Sequence, residues 1–518
     1  MRKVIKLLFS CLGAAAVFVL VLGFFITPKA GGAPNIAVDG VKPFSSASVI
    51  NCNYYRIPAL LTTTDGTVLA AIDARFGGTH DSPNNIDTAV SISTDSGKSW
   101  SEPQLVFQFD DFENTDDFLK ENGTYTTQNS ASVIDPALLQ DTQTGRIFML
   151  VDAFPHGAGA FAAQVGSGYT EINGEQALLL RKQGEEDFAY TLRADGAIYD
   201  ANGTKTAYTV NENGELSENG VPLTVQQKTQ KYWYNLPFNL NTRKEIPMHI
   251  FYRDSQFQPL STSYLYLLYS DDNGETWSAP IDLNAQVKPD DVGFFGVCPG
   301  RGLQIQNGTY AGRLLFCAYT LDPESGEQRF MTIFSDDGGS TWQAGEFVAL
   351  TDEIRSMSET QLIELPDGSL QAYSRTTNGF VSVAFSTDGG ATWQDPQLVE
   401  NLSLTSGSGC QISVINCSQK IDGKDVVLLS APAGDSRRNG YIYVGLVEQN
   451  GDAAGYVVNW TYKKEITNAD TYFAYSCLTE LPDGNIGLLY EQANTPQNVD
   501  TVVFASFSLS ELCEEEIQ

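Results

Sequence analysis

The stretch SDDGGSTW at residues 335–342 decides the fold, because variants of it occur four times in the chain. The other copies are STDSGKSW at 93–100, SDDNGETW at 270–277 and STDGGATW at 386–393. All four share the pattern Ser-x-Asp-x-Gly-x-(Ser/Thr)-Trp. Each copy follows a run typical of a β-strand, such as FMTIF before residue 335. The pattern therefore predicts a repeated hairpin turn.

The residue types in the pattern suit a tight turn. An Asp side chain accepts hydrogen bonds from nearby backbone N–H groups, Gly tolerates positive φ, and Trp anchors the turn in the core. A catalytic carboxylate is rarely needed four times in one chain. We therefore interpret four aspartates as structural: Asp95, Asp272, Asp337 and Asp388.

The spacing of the copies predicts a β-propeller. Successive copies begin 177, 65 and 51 residues apart, and the two shorter offsets each fit one four-stranded blade. Strand-like runs and turns alternate to the end of the chain, without a long amphipathic helix. The predicted fold class is all-β.

The longest offset predicts an insertion between two blades. Residues 157–245 are rich in Asn, Gly, Glu, Thr and Tyr and contain short strand-like runs, which indicates a small β domain. The predicted division is an export segment at 1–30, the first part of the propeller at 31–156, the inserted β domain at 157–245 and the remainder of the propeller at 246–518.

The composition narrows the function. The 518 residues include 31 Lys and Arg against 63 Asp and Glu, a net charge of −32, which argues against a nucleic-acid partner. With only 3 His, acid–base chemistry would fall to carboxylates and tyrosines rather than to a multi-histidine site.

The cysteines show no repeated C-x-x-C spacing. We interpret them as small buried hydrophobes, with a Cys410–Cys417 pair as the alternative.

The N-terminus predicts export. Arg2, Lys3 and Lys6 precede an apolar run at 7–26, the arrangement of a signal peptide. Because the run is about 20 residues long, an uncleaved membrane anchor is the alternative. We expect an exported protein, either secreted or held at the cell surface.

Arg56-Ile57-Pro58 opens the first clear strand, and together with the repeats it resembles the sialidase (exo-α-neuraminidase) family. Bacterial members of that family are six-bladed propellers with these Asp-box repeats, and one branch carries an extra β domain. The resemblance extends over about residues 45–508. It implies a six-bladed β-propeller with an inserted small β domain.

The family binds the carboxylate of sialic acid with three arginines, whose planar guanidinium groups offer paired donors to it. Arg56 matches the first, and Arg375, 16 residues after Glu359, matches the second. Arg437 in DSRRNG matches the third, with the adjacent Arg438 as the alternative.

The resemblance also implies the catalytic groups. Asp81, in a Gly-containing loop six residues after Arg75, matches the acid/base residue, and the neighbouring His80 is assigned no role. Tyr475 matches the nucleophile, with Tyr472 as the nearest competing tyrosine. A neutral phenol avoids the repulsion that a second carboxylate would meet at the anomeric carbon of sialic acid.

Four further positions complete the match. Glu359 matches the base that activates Tyr475, and Glu491 matches the carboxylate that orients Arg56. Arg75 and Asp135 match groups that contact the outer hydroxyls and the N-acetyl region of the sugar.

The implied function is that of a retaining exo-α-sialidase, active as a monomer on sialylated glycoconjugates, without metal or cofactor. An alternative is an intramolecular trans-sialidase that releases anhydro-sialic acid. Some members of the branch use an aromatic residue after the Tyr/Glu strand for that reaction, whereas residues 493–496 here read Ala-Asn-Thr-Pro, which favours hydrolysis. Two further hypotheses are a non-catalytic glycan-binding propeller and a glycosidase with two catalytic carboxylates.

Overall fold

The computed structural model describes residues 41–517 except 47, 51, 53, 77, 114–128, 230–243, 323, 404–408, 434–435, 452–454 and 494–500. The regular structure in these residues is almost entirely β. Six sheets form the blades of a propeller, which confirms the predicted fold class. The predicted export segment at 1–30 lies outside the described residues.

The first blade is an antiparallel sheet of four consecutive strands. These are β1 (Tyr54–Thr62), β2 (Val68–Phe76), β3 (Asn85–Ser93) and β4 (Gln104–Phe107). All nine residues of β2 are buried, because this strand has neighbours on both faces. After a short β5 (Phe112–Glu113), the second blade begins with β6 (Ser132–Gln140) and β7 (Ile147–Phe154).

A segment that forms a separate sheet is inserted in the second blade, between its strands β7 and β19. The 3-10 helix Ala160–Ala162 is followed by β8 (Tyr169–Ile172), β9 (Glu175–Lys182), β10 (Tyr190–Leu192), β11 (Ala197–Tyr199), β12 (Lys205–Val210), β13 (Leu216–Glu218), β14 (Val221–Pro222), β15 (Thr224–Gln226), β16 (Lys228–Thr229), β17 (Glu245–Pro247) and β18 (Phe257–Pro259). Eight of these strands, β8 to β14 and β18, form one sheet. Leu178, Leu180 and Ile198 of that sheet share a buried cluster with Val151 and Leu268 of the blade. The predicted domain boundaries stay a prediction.

The remaining strands complete the ring. Blade two ends with β19 (Tyr264–Ser270) and β20 (Ile281–Asp282), after which α1 (Asn284–Val287) leads to blade three. Blade three contains β21 (Phe294–Val297), β22 (Gly300–Arg301), β23 (Leu303–Gln304), β24 (Leu314–Leu321), β25 (Gln328–Ser335), β26 (Gln343–Ala344) and β27 (Ser356–Met357), with β22 itself paired to β6 of blade two. Blade four contains β28 (Thr360–Glu364), β29 (Leu370–Ser374), β30 (Phe380–Ser386) and β31 (Gln394–Ser403).

The last two blades follow the same order. Blade five contains β32 (Ser413–Ile421), β33 (Lys424–Pro432), β34 (Gly440–Gln449) and β35 (Tyr456–Glu465). Blade six contains β36 (Tyr472–Glu480), β37 (Ile486–Ala493) and β38 (Thr501–Phe507). The chain then forms α2 (Leu509–Leu512) and β39 (Glu515–Glu516), which pairs with β35. Val41 pairs with Phe504 of β38, so a residue ahead of the first blade joins the last one. Among the described residues, no helix has the length and apolarity needed to cross a bilayer.

The innermost strands of the six blades surround a channel and run in one direction. Their N-terminal ends meet at one opening, which we call the amino-end mouth, and their C-terminal ends meet at the other, the carboxyl-end mouth. At the carboxyl-end mouth, side chains connect neighbouring blades: Gln140 accepts the N–H of Thr64 at 2.8 Å. Asn416 similarly accepts the N–H of Glu364 at 2.9 Å and donates to its carbonyl at 2.8 Å.

Each repeated octapeptide lies between the third and fourth strand of its blade, as the sequence predicts. The Asp337 carboxylate accepts hydrogen bonds from Ser335 Oγ at 2.8 Å, from the Thr341 N–H at 2.9 Å and from Thr341 Oγ1 at 2.7 Å. Trp342 is only 3% exposed and anchors the turn. The cysteines at 410 and 417 are both free and buried, so the alternative disulfide is not formed.

We expect Asp337→Ala to lower the free energy of unfolding by about 1–3 kcal/mol, because four donors, the fourth being the Ser340 N–H at 3.0 Å, lose a charged acceptor. The Thr341 N–H and hydroxyl lower the pKa of Asp337. The difference from wild type should therefore be complete above about pH 4 and should shrink as the pH falls through the folded-state pKa. Urea unfolding at several pH values measures it.

Asp483→Ala is the matched control, since Asp483 lies in a comparable turn but accepts one backbone N–H, from Asn485 at 3.1 Å. We expect this change to cost less than about 1 kcal/mol. Equal losses in the two variants would contradict a special role for the octapeptide carboxylate.

Candidate active site

The amino-end mouth gathers polar side chains from separate blades. Arg56 lies on β1, Glu359 directly precedes β28, and Arg375 directly follows β29. Tyr475 lies on β36, the innermost strand of the last blade. Residues separated by more than 400 positions in sequence therefore meet at one opening of the channel.

Tyr475 and Glu359 are directly hydrogen-bonded. The Tyr475 hydroxyl donates to Glu359 Oε1 at 2.6 Å, and Arg375 Nη1 donates to Glu359 Oε2 at 2.7 Å. The same Nη1 lies 3.2 Å from the Tyr475 hydroxyl. Glu359 is 3% exposed, so this contact is shielded from water. The structure thus joins the predicted nucleophile to its predicted base.

The phenol of Tyr475 is held in its neutral form. Burial and then the charge of Glu359 raise its pKa well above the ordinary value, although the nearby arginines oppose the shift. Glu359 is therefore the group that would accept the proton if the phenol oxygen attacked an electrophile. Tyr472, the competing tyrosine, is also buried, and burial raises its pKa to about 12.

Glu491 binds Arg56 from the neighbouring blade. Arg56 Nε donates to Glu491 Oε1 at 3.1 Å, and Arg56 Nη2 donates to Oε2 at 3.4 Å. The N–H of Ile57 donates to the same carboxylate at 2.9 Å. Ile57 has a φ of 60°, a conformation that is rare for a β-branched residue, at an irregularity in the pairing of β1 with β2. This backbone geometry directs two donors from consecutive residues at one carboxylate.

Arg437 completes a group of three arginines around Tyr475. Its guanidinium lies 5.4 Å from the centre of the Tyr475 ring, and that of Arg56 lies 5.3 Å from it. Arg438 instead donates to the carbonyl of Asp470 at 2.7 Å. Arg437 has a φ of 51°, so the backbone turns sharply between the two candidates. The geometry places Arg437, and not Arg438, at the mouth.

Asp81 lies on the loop between β2 and β3, at the edge of the site. Arg75 Nη1 donates to its carboxylate at 2.7 Å, and Arg56 Nη1 lies 3.7 Å away. Partial desolvation raises the pKa of Asp81, but the charges of Arg75 and Arg56 outweigh this and lower it below the ordinary value. The side chain is 69% exposed, so water screens both arginines. His80, its neighbour, is exposed.

Arg75 lies behind Asp81 rather than at the open surface. Its side chain is 0% exposed, and Nη2 donates to Asp73 at 2.7 Å. Asp135, with a φ of 64°, donates its N–H to the same Asp73 at 3.0 Å. Burial and the charge of Asp73 raise the pKa of Asp135 well above its ordinary value. The sugar contacts of Arg75 and Asp135 stay predictions.

Two residues of the mouth have no part in the sequence interpretation. Asp73 links Arg75 to Asp135, and the pattern Asp73-Ala-Arg75 on one strand could have indicated it, since residues two apart share a face. Tyr319 on β24 is the other. Burial and then the charge of Glu359 raise the pKa of Tyr319 well above its ordinary value, and its ring centre lies 5.1 Å from that of Phe294. Nothing in the sequence LFCAYTL marks it.

The arrangement suits a ligand with a carboxylate next to a reactive carbon. Three guanidinium groups surround a neutral phenol, and each offers paired donors to an anion. A buried carboxylate next to the phenol can accept its proton, and an exposed carboxylate at the rim can exchange protons with a ligand. Fold and site together define a β-propeller protein with an anion-binding mouth built around a hydrogen-bonded tyrosine and glutamate.

Comparisons with known proteins agree with this class. A family model described as a BNR repeat-like domain matches residues 212–491. The Anhydrosialidase of Macrobdella decora is 41% identical over 496 residues, covering 93% of this chain and 64% of the relative. Sialidase B of Streptococcus pneumoniae is 37% identical over 458 residues, covering 87% and 63%. This chain thus spans less than two thirds of either relative.

One solved structure is matched over nearly its whole length. The crystal structure of the intramolecular trans-sialidase from Ruminococcus gnavus, in complex with oseltamivir carboxylate, matches with a TM-score of 0.84 at 37% identity. The match covers 91% of this chain and 98% of that one. The chain belongs to the sialidase family with BNR repeats.

We expect Glu491→Gln to lower the free energy of unfolding by about 3–5 kcal/mol, because Arg56 loses the partner of a buried ion pair. Urea unfolding followed by fluorescence measures the change. Glu327→Gln is the control, since it removes the exposed pair of Glu327 with Arg355 and should cost less than about 1 kcal/mol. A loss for Glu491→Gln as small as that of the control would contradict the role given to this carboxylate.

Proposed function

We propose that the chain is an exo-α-sialidase that removes terminal sialic acid from glycoproteins, glycolipids or oligosaccharides. The observation that carries the proposal is the hydrogen bond from Tyr475 to Glu359 at 2.6 Å, inside a group of three arginines. A neutral phenol paired with a base is the nucleophile suited to an anomeric carbon that already bears a carboxylate.

Substrate binding would begin with the carboxylate of the sugar. Arg56, Arg375 and Arg437 converge on Tyr475 from three different blades, so a carboxylate bound among them places the adjacent anomeric carbon near the phenol oxygen. Arg56 and Arg375 are already held by Glu491 and Glu359, which fixes their orientation before the ligand arrives.

The first chemical step would form a covalent intermediate. The Tyr475 oxygen bonds to the anomeric carbon, Glu359 takes the phenol proton, and the bond to the leaving oxygen breaks as Asp81 donates a proton to it. Free Asp81 has a lowered pKa and is ionised. A bound carboxylate would offset the charge of Arg56 and displace water, and both effects raise the pKa of Asp81 toward the protonated form.

The second step would release the sugar. Asp81, now a carboxylate, accepts a proton from the attacking water, whose oxygen bonds to the anomeric carbon. The bond to Tyr475 breaks, and Glu359 returns the proton to the phenolate. Free sialic acid with retained configuration is the product.

A second candidate is the intramolecular trans-sialidase, in which a hydroxyl of the sugar replaces water in the second step. The similarity to the Macrobdella decora and Ruminococcus gnavus proteins supports it. The absence of Trp at 493–496 supports hydrolysis instead, and residues 494–496 of that segment lie outside the described residues.

We also propose that the protein acts outside the cytoplasm as a monomer. The support for the location is the basic and apolar N-terminal segment, which suits export and leaves a membrane tether as an alternative to secretion. Extracellular glycans are the substrates that such a location would provide.

We expect Tyr475→Phe to lower kcat/KM for a 4-methylumbelliferyl sialoside at least about 1,000-fold, because the nucleophilic oxygen is lost. Tyr472→Phe is the matched control on the same strand and should stay within a few-fold of wild type. Retention of more than a tenth of the wild-type activity by Tyr475→Phe would contradict the proposed nucleophile. Binding of sialosides by the wild-type protein without turnover would support a glycan-binding propeller instead.

We expect wild-type protein to convert 3'-sialyllactose to free sialic acid that carries one oxygen from isotopically labelled water. Mass spectrometry of the product measures this directly. Intramolecular transfer would give a product lighter by one water and without label, and that result would replace hydrolysis by the second candidate. The same assay on 6'-sialyllactose shows the linkage preference.

A further inference from the structure

Arg301 points into the channel from the innermost strand of blade three, away from the site described above. It pairs with Leu138 in the parallel β22–β6 contact, and its Nη1 lies 3.5 Å from the carbonyl of Leu478. Leu478 is three residues along β36 from Tyr475, about 10 Å toward the carboxyl-end mouth. The guanidinium is therefore separate from the catalytic group of arginines.

A cavity of about 590 Å³ opens at the carboxyl-end mouth and reaches Arg301. Its polar lining is largely engaged in contacts between blades. Gln304 accepts the N–H of Thr142 at 2.8 Å and donates to Asp141 at 2.7 Å. The carboxamide of Asn416 is bonded to the backbone of Glu364 on both of its sides. Because the carboxamides of Gln304 and Asn416 are bonded to other protein groups, few of their donors remain for a ligand.

The acidic residues that line the cavity are also engaged elsewhere. The two oxygens of Glu364 accept the N–H groups of Gln306 at 2.8 Å and Asn307 at 2.7 Å. Asp425 pairs with Lys420 at 2.7 Å. Within the described part of the chain, Arg301 forms no ion pair, and its side chain donates only the long contact to Leu478. One positive charge in the channel thus lacks a compensating carboxylate.

The physical cost of this arrangement points to a ligand. A guanidinium partly removed from bulk water without a counter-charge is unfavourable, and burial lowers the pKa of Arg301 from its ordinary value. Two other arginines of this chain have carboxylate partners: Arg313 pairs with Asp336 at 2.7 Å, and Arg75 pairs with Asp73 at 2.7 Å. Arg301 differs from them, as does Arg437 at the amino-end mouth, whose Nε donates to the carbonyl of Gly409 at 3.2 Å.

We propose that Arg301 and the cavity at the carboxyl-end mouth form a binding site for a small oxyanion, such as inorganic phosphate or a short carboxylate. The planar guanidinium presents paired donors that match two oxygens of one anion. The cavity volume accommodates such an anion with several waters. Bound there, the anion contacts a strand from blade three and lies beside β36 of blade six, so it stabilises the folded ring.

The test compares thermal unfolding of the full chain in saturating sodium phosphate with that in sodium chloride of equal ionic strength. We expect phosphate to raise the Tm of wild type by about 2–3 °C, as binding to the folded state alone requires. Arg301→Met should lose this increase, and Arg301→Lys, which keeps the charge without the planar fork, should keep less than half of it. The control Arg355→Met, which removes an exposed arginine, should keep all of it.

Crystals of wild-type protein soaked in sodium selenate give a measurement that needs no variant. An anomalous selenium peak about 4 Å from the Arg301 guanidinium carbon is the expected result. Equal phosphate shifts in wild type and Arg301→Met, or a soak without that peak, would overturn the proposal. A second crystal is soaked in sodium bromide, whose anion is a single atom. A bromide peak at Arg301 without a selenate peak in the first crystal would overturn the assignment of the site to an oxyanion.

Discussion

The carboxylate of Glu491 is the interaction on which the site depends, because it joins the last blade to the first. It holds Arg56 by two hydrogen bonds and the N–H of Ile57 by a third, and it is 0% exposed. One buried carboxylate thus both joins the ends of the ring of blades and fixes the orientation of Arg56. At the other end of the channel, Gln140 and Asn416 fix neighbouring blades in the same manner. Because hydrogen bonds join neighbouring blades at both mouths of the channel, the polar side chains that different blades contribute to the amino-end mouth keep fixed positions relative to one another.

The electrostatics of the mouth resolve the conflict between the acidic chain and an anionic ligand. The net charge of −32 belongs to the chain as a whole, and charges more than about 8 Å away are largely screened at physiological salt. Arg56 and Arg437 lie within 5.4 Å of one aromatic ring, so an anion bound there experiences them at short range. Glu359 and Glu491 compensate part of this charge, because their oxygens accept hydrogen bonds from Arg375 and Arg56 at the mouth. A local cationic site therefore coexists with an acidic protein.

The sequence predicts best what is determined locally. The octapeptide turns follow from Asp337 and its equivalents, whose hydrogen-bond partners lie within four residues. The spacing of these turns in the sequence predicts the propeller. Arg437 and Arg438 are adjacent and chemically identical, so only the backbone turn at Arg437 distinguishes them. The spacing of Asp73 and Arg75 on one strand indicates that they share a face, whereas the complete burial of Arg75 depends on packing in the folded ring, which no local pattern encodes. Tyr319 belongs to blade three, and only the folded ring of blades brings it within range of the charge of Glu359 in blade four. No local sequence pattern contains that information.

The two proposed reactions would use the same residues up to the covalent intermediate. Tyr475, Glu359 and the three arginines would have the same roles in both, and the product would depend on which oxygen then attacks the anomeric carbon. A difference of about 1.4 kcal/mol between the two barriers changes the product ratio tenfold. One side chain beside the sugar can supply that difference by excluding water or by holding a hydroxyl in place. An identity of 41% to an anhydrosialidase is therefore compatible with either product, because the second step would be set by the few residues that line the path of the attacking oxygen.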